Sequence, residues 1–248
     1  QPYLNGQDLN EQPDQFPSRW VINFFDWPLG KAETYKEPME IVRKKVYPAR
    51  MKVRRKAHKK YWWHYGDKRP ALYQAIKSLP RVLVVARVTK YLNFSFVPNG
   101  WVYNEKTIVF PFAQAQYLAI LQSNFHEAWA WYYSSTMRNA GVNYAPSDCF
   151  DTFPFPPNIS GLELIGETYH KHRRQLMRER QEGLTVTYNR FHDPDEDAAD
   201  IAKLRQLHVE MDNAVAAAYG WDDLDLGHGF HETAQGIRYT ISEAARRE

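Results

Sequence analysis

The chain has one cysteine, Cys149, among 248 residues. That excludes an internal disulfide and any zinc site built from several thiolates, and it fits a reducing compartment. No apolar run approaches the ~20 residues that span a bilayer, and no charged-then-apolar leader opens the sequence. A cytoplasmic location with no membrane partner is therefore expected. Catalytic signatures are missing as well. Gly227 and Gly229 follow no strand, so they do not make a Walker loop. No G-x-S-x-G elbow or Cys–His dyad is visible. Pro156, Pro157 and Asn158 hold the letters of an amino-methyltransferase tetrad in the wrong order. No acid-x-Lys pair of a nuclease follows Pro13-Asp14 or Pro194-Asp195 at a workable distance. There is no internal repeat and no low-complexity tract.

What the chain does have is concentrated positive charge. The formal net charge is only +3, yet residues 43–69 read RKKVYPARMKVRRKAHKKYWWHYGDKR, with Asp67 as the single acid. Clustered Lys and Arg displace the counterions condensed on phosphates, so a polyanionic partner is expected. The candidates for phosphate contact are Arg43, Lys44, Lys52, Arg54, Arg55, Lys56, Lys59 and Lys60, joined by Arg173 and Arg174 on a later basic helix. Such contacts position a nucleic acid without reading its sequence. The bland alternative is a solvated helical face. Tyr61, Trp62, Trp63 and Tyr65 interrupt the tract, and two of these four rings are expected in the core.

The hydrophobic pattern predicts an α+β domain at 1–157 followed by a helical domain at 158–248. Residues 1–30 read as irregular, with a candidate strand at 20–25. Helices are expected at 38–47 and from Pro70. Residues 81–88 read as a buried strand and 91–97 as a half-buried one. A turn at Pro98-Asn99-Gly100 and strands at 101–103 and 107–112 continue the meander. One long helix is expected over 114–133, with Leu118, Leu121, Phe125, Trp129 and Tyr132 on its apolar stripe. The proline-rich stretch 153–158 reads as a domain seam. Helices over 162–182 and 196–219 follow, the second ending at Gly220. Ser242 reads as the cap of a helix too short to stand alone, and the chain starts at Gln1, so a fragment of a longer protein is expected.

The polar stretch 134–147 is anchored at both ends, as functional loops often are. Arg138, Asn139 and Asn143 are side-chain types that bond base edges in the major groove. Gly141 would let backbone approach closely. The alternative is an ordinary connection using turn formers. The acids Asp193, Asp195, Glu196, Asp197 and Asp200 lack the spacing of a calcium loop, and helix capping is the simpler reading. His228 and His231 make a poor metal pair without further ligands, and His170 and His172 are expected to face solvent. Two other readings stay open. One is an RNA- or single-strand-binding module stacking bases on Trp62, Trp63 and Tyr65. The other is a metal-dependent nuclease centred on residues 193–200.

Four stretches carry a family resemblance: PYLNGQDLN at 2–10, PDQFPSRWVINF at 13–24, YSSTMRNAGVNYAPSDCFDTFPFP at 133–156 and TYNRFHDPDE at 187–196. Together they resemble the C-terminal portion of MmeI-like type IIG and type IIL restriction-modification proteins of bacterial defence. Those proteins join an adenine-N6 DNA methyltransferase to a target recognition domain and a small helical domain. The resemblance implies a mixed-sheet recognition domain over 1–157 and a truncated helical domain after it. It implies double-stranded DNA as partner, together with an upstream methyltransferase domain of the same polypeptide. No cofactor is implied for this chain; S-adenosylmethionine belongs to that missing domain. The parent protein would be a site-specific DNA methyltransferase, with or without endonuclease activity. The family pattern points to Arg138, Asn139, Gly141, Asn143 and Thr107 for base readout. It has charged readers at the places of Gly141 and Asn143, which leaves the recognised bases open.

Overall fold

The apolar run at 81–86 lacks polar alternation because both of its faces are covered, as in a central strand. Leu83 and Val85 point into the largest hydrophobic cluster, and Val82, Val84 and Ala86 into a second one with Leu4, Leu9, Ile76 and Trp101. The computed structural model describes residues 1–137 and 141–247. Its strands are β1 (Pro2–Leu4), β2 (Arg19–Trp20), β3 (Arg81–Ala86), β4 (Val88–Thr89), β5 (Ser95–Pro98), β6 (Val102–Tyr103), β7 (Thr107–Phe110), β8 (Ser135–Met137), β9 (Gly141–Asn143), β10 (Gly229–Thr233) and β11 (Gly236–Thr240). Its helices in the first part are α1 (Gly6–Glu11), α2 (Leu29–Glu33), α3 (Lys36–Lys45), α4 (Tyr47–Lys52), α5 (Lys56–Lys60), α6 (Pro70–Ile76), α7 (Ala115–Gln122), α8 (Asn124–Tyr133) and α9 (Pro146–Cys149). The helices α10 (Glu163–Arg180), α11 (Leu184–Phe191), α12 (Ala199–Tyr219) and α13 (Glu243–Arg247) follow. The fold class is α+β.

Strand β3 is the middle of an antiparallel sheet ordered β5-β3-β7. A mixed sheet, β2-β1-β6, pairs β1 antiparallel to β2 and parallel to β6. The third sheet, β4-β9-β8, is antiparallel. The strand expected at 20–25 is only Arg19–Trp20. Phe25 takes a φ of +54° and its N–H donates to Asn23 Oδ1 at 2.9 Å, a local turn that ends the extended run. The helix expected over 114–133 is two helices. Ser123 leaves the helical region with ψ 156°, caps α8, and donates its hydroxyl to Ile120 O at 2.7 Å. The break resets the helical phase, so Tyr132, expected on the apolar stripe, is 82% exposed.

The C-terminal part is not purely helical, since β10 and β11 form an antiparallel hairpin. Helix α12 ends as expected: Gly220 has φ +82°, and the N–H groups of Gly220 and Trp221 return to Ala217 O and Ala216 O. The largest hydrophobic cluster runs across residue 157. It joins Leu83, Phe94, Phe110 and Leu118 to Tyr169, Leu176, Leu204 and Met211, and Phe153 of the expected seam is itself buried. Among the described residues no helix is long and apolar enough to cross a membrane.

A buried polar chain ties these layers together. Arg173, 2% exposed, donates to Gln122 Oε1 and Tyr188 OH at 3.0 Å each, to Ser95 Oγ at 3.1 Å, and to Phe94 O. Tyr188 OH bonds Tyr169 OH at 2.5 Å, which bonds His208 Nδ1 at 3.2 Å. Beyond them lies the fully buried Asp212. Burial would raise its carboxyl, but His208, His228 and Asn124 together hold it below the usual carboxylate range. His228 Nε2 donates to Asp212 Oδ2 at 2.8 Å, and the backbone N–H and side-chain amide of Asn124 add bonds at 2.9 and 2.6 Å.

Among the other buried histidines are His126 (0% exposed), His170 (6%) and His192 (9%). His170 therefore does not face solvent; its ring meets Phe96 edge-on at 5.3 Å. Burial lowers His126 and His170 to about 3, with Arg173 adding to the effect on His170. Burial and then Arg238 lower His192 to about 2. All three are neutral when folded and regain an ordinary value near 6.5 on unfolding. The unfolded chain thus binds more protons below pH 6.5, and stability falls with pH in that window by ~2 kcal/mol per histidine between pH 6.5 and 4.5. Urea unfolding should show a flat midpoint from pH 8 to 7 and a steep fall below 6.5. A midpoint unchanged down to pH 4.5 would contradict the neutral burial of these rings.

Candidate nucleic-acid interface

The basic tract folds as three short helices, α3, α4 and α5, around an aromatic anchor. Met39 and Val42 of α3 pack with Phe24, Ala32 and Trp62 in a small core of their own. Trp62 is buried and meets Tyr47 edge-on at 4.9 Å, and Trp63 donates Nε1–H to Trp27 O at 2.8 Å. His64 donates from Nε2 to the same carbonyl at 2.8 Å. Tyr61 and Tyr65 stay exposed at 44% and 41%. Burying the tryptophans orients the helices so that the cations face outward. Arg43, Lys44, Lys52, Arg54, Arg55, Lys56, Lys59 and Lys60 are all exposed. Arg43 pairs with Glu33 at 2.6 Å and lies over the Trp62 ring. Among the described residues the other seven form no ion pair, which leaves them available to phosphate oxygens. The field of the tract is felt locally: burial, then the charges of Arg50 and Arg55, lower the His58 imidazole.

The later basic helix contributes less than its sequence implies. Arg173 is a correction, because it points into the core and spends its donors there. Arg180 makes a bidentate pair with Asp200 at 2.6 and 2.7 Å. Arg174 is exposed. His172 is half-buried and bonds the Asp200 carbonyl at 2.9 Å. The acids at 193–200 are likewise engaged. Asp200 is held by Arg180 and Glu196 by Arg190 at 2.7 Å, and Asp193 accepts the Asp195 N–H at 3.0 Å. They cap and brace a turn, an arrangement that gives the nuclease reading no free carboxylate pair at Glu196 and Asp200.

The stretch 134–147 is not a loop throughout. It folds into the hairpin β8–β9, and β9 lies against β4 through the pairs Val88↔Asn143 and Thr89↔Val142. Arg138 and Asn139 lie outside the described residues. Gly141 is half-buried with φ +92°, and a Cβ there would fall 2.0 Å from Thr89 O. The close approach that requires glycine is thus to the chain's own strand β4. Asn143 is half-buried, with its amide donating to Ser135 Oγ at 3.1 Å across the hairpin. Thr107 is a correction: it is 2% exposed in β7, paired with Ala86, and its hydroxyl is enclosed without a partner among the described residues, so it cannot reach a base edge. A further exposed cation, Arg87, lies between β3 and β4, and its carbonyl accepts from Tyr144 N at 2.7 Å, fixing it beside the hairpin. The signal was a lone charge inside the apolar run RVLVVARV.

Two substitutions test this geometry. Gly141→Ala should destabilise by ~2–4 kcal/mol through the clash and the positive φ. Gly100→Ala, at φ +93° but in open space, should cost only ~1–2 kcal/mol. Equal midpoints in urea would show that the strand contact is unimportant. Arg173→Ala should cost ~3–5 kcal/mol by orphaning its buried partners, yet leave the salt dependence of polyanion binding unchanged.

The family model described as MmeI, target recognition domain, matches residues 10–157. No curated protein sequence matches the chain. Among solved structures, the fold is similar to that of the type IIL restriction-modification enzyme MmeI in complex with DNA, with a TM-score of 0.60 and 19% identity. The match covers 88% of this chain and 28% of that one, so the shared fold extends past residue 157 while the chain spans 28% of the length of that enzyme. The chain carries the outward-facing basic tract and the strand-mounted hairpin within the matched residues, and it belongs to the MmeI target recognition domain family.

Proposed function

We propose that this chain is the module that recognises a specific double-stranded DNA sequence for a restriction-modification enzyme. The observation that carries this reading is the unpaired cationic surface of residues 44–60, which lies inside the family match and is held outward by the buried Trp62. The solved complex of MmeI with DNA supports it. Lys44, Lys52, Arg54, Arg55, Lys56, Lys59 and Lys60 would neutralise phosphates, with Arg43 and Arg174 at the margins. Asn143 and Arg87, with Arg138 and Asn139 of the same stretch of sequence, would address base edges. Residues 1–157 would supply this recognition, and residues 158–248 would brace it. An adenine-N6 methyltransferase domain using S-adenosylmethionine would lie elsewhere in the parent polypeptide. The reading in which Trp62, Trp63 and Tyr65 stack single-stranded bases keeps only Tyr65 as an exposed ring, since Trp62 is buried and Trp63 is hydrogen-bonded to Trp27 O.

Lys59→Ala should weaken binding to every duplex and reduce the slope of log K against log salt by about 1. Asn143→Ala should change sequence preference more than total affinity. A selection from randomised duplexes, with titrations at several salt concentrations, checks both; indistinguishable effects of the two substitutions would contradict the division of roles.

A further inference from the structure

A cleft of about 330 Å³ opens where the basic tract meets the β2-β1-β6 sheet. Four tyrosines line it, each delivered by a different element: Tyr3 from β1, Tyr65 from the end of the tract, Tyr73 from α6 and Tyr103 from β6. The sheet register sets Tyr3 and Tyr103 on neighbouring parallel strands. The Tyr73 hydroxyl accepts the Tyr103 N–H at 3.4 Å, and the Asn104 amide donates to the Tyr3 hydroxyl. Tyr103 is 4% exposed, and its hydroxyl is enclosed, with no hydrogen-bond partner among the described residues. Burial raises Tyr65, Tyr73 and Tyr103, and neighbouring phenols add to the effect, so these rings are uncharged at neutral pH. The rim carries charge of both signs, from Asp67 and Glu105 and from Lys68 and Arg69. Arg69 lies there in a left-handed conformation with φ +45°, its guanidinium 3.8 Å from Asp67 and 3.5 Å from Asn104 O.

The volume suits one heterocycle with its sugar and is far too small for a duplex. Flat neutral rings offer stacking, which every base can use. The amides of Asn23 and Asn104 line the cleft and offer hydrogen bonds to a base edge, and Arg69 suits the attached phosphate. The cationic tract that would track the strand reaches this cleft, because Tyr65 lies just past the Trp62–Trp63 anchor, within the tract's last residues. From this juxtaposition we propose that the tyrosine cleft seats a single unpaired DNA base. The inference rests on the DNA reading above. It adds that the chain holds one base outside the duplex stack, a state that costs least where the base is already unpaired.

The test uses the full chain and two probes. One is a random-sequence duplex; the other is the same duplex carrying a single unpaired 2-aminopurine. The bulged duplex should bind about tenfold more tightly, with its fluorescence quenched by stacking. Tyr65→Ala should abolish both effects, whereas Tyr65→Phe should retain them. Lys59→Ala should weaken both duplexes equally. If the paired duplex binds but the bulge gains nothing, or gains equally in the Tyr65→Ala protein, the cleft assignment falls and the DNA reading stands. If neither duplex binds, the DNA reading itself fails. Tighter binding of the matching RNA bulge would overturn the assignment to DNA.

Discussion

The enclosed guanidinium of Arg173 is the constraint on which the rest of the molecule depends. A buried cation is tolerated only when its donors are fully used, and here the acceptors come from three separate layers. Phe94 O and Ser95 Oγ belong to the edge of the central sheet, Gln122 to the end of α7, and Tyr188 to α11. These acceptors are neutral dipoles, and the nearest anion along the chain of bonds is Asp212, reached through Tyr188, Tyr169 and His208. The positive and negative ends of this chain fix sheet and helices in one register. The break between α7 and α8 belongs to the same device, because the freed N–H of Asn124 is bonded by Asp212.

The surface follows the opposite rule. Ten or more like charges in a short stretch repel one another and favour disorder. The tract escapes that outcome by alternating cations with rings that have somewhere to go. Trp62 fills a small core, Trp63 and His64 share the Trp27 carbonyl, and Arg43 finds both Glu33 and the Trp62 face. Helices α3 and α4, ten and six residues long, suffice because each is fastened to Trp62 rather than held by its own length.

Much of this was legible in the sequence. β-branched runs marked β3, the amphipathic period marked α3 and α10, and glycine marked the end of α12. The charge cluster identified the exposed tract because solvation alone settles where Lys and Arg go when no acid is near. Other features depended on distant partners. Ser123 is a good cap, but nothing local says that Asp212 will meet the helix it starts. Arg173 and Arg174 are adjacent and alike in sequence, and only the position of β5 decides which one is swallowed. Thr107 directly follows the exposed Lys106, yet its side is covered by the packing of β7 on β3. The hairpin of β10 and β11 escaped notice because its two strands are half exposed and carry little apolar pattern.

The continuous core has a practical meaning for building chimeras. Residue 157 is where the family match stops, and it is the natural place to cut if specificity is to be transplanted between relatives. The greasy contacts of Leu83, Phe94, Phe110 and Leu118 do not respect that border, because their neighbours include Tyr169, Leu176 and Met211. A graft ending there would strip the recipient sheet of its backing and leave the acceptors of Arg173 empty. The exchangeable unit is the sheet together with α10, α11 and α12.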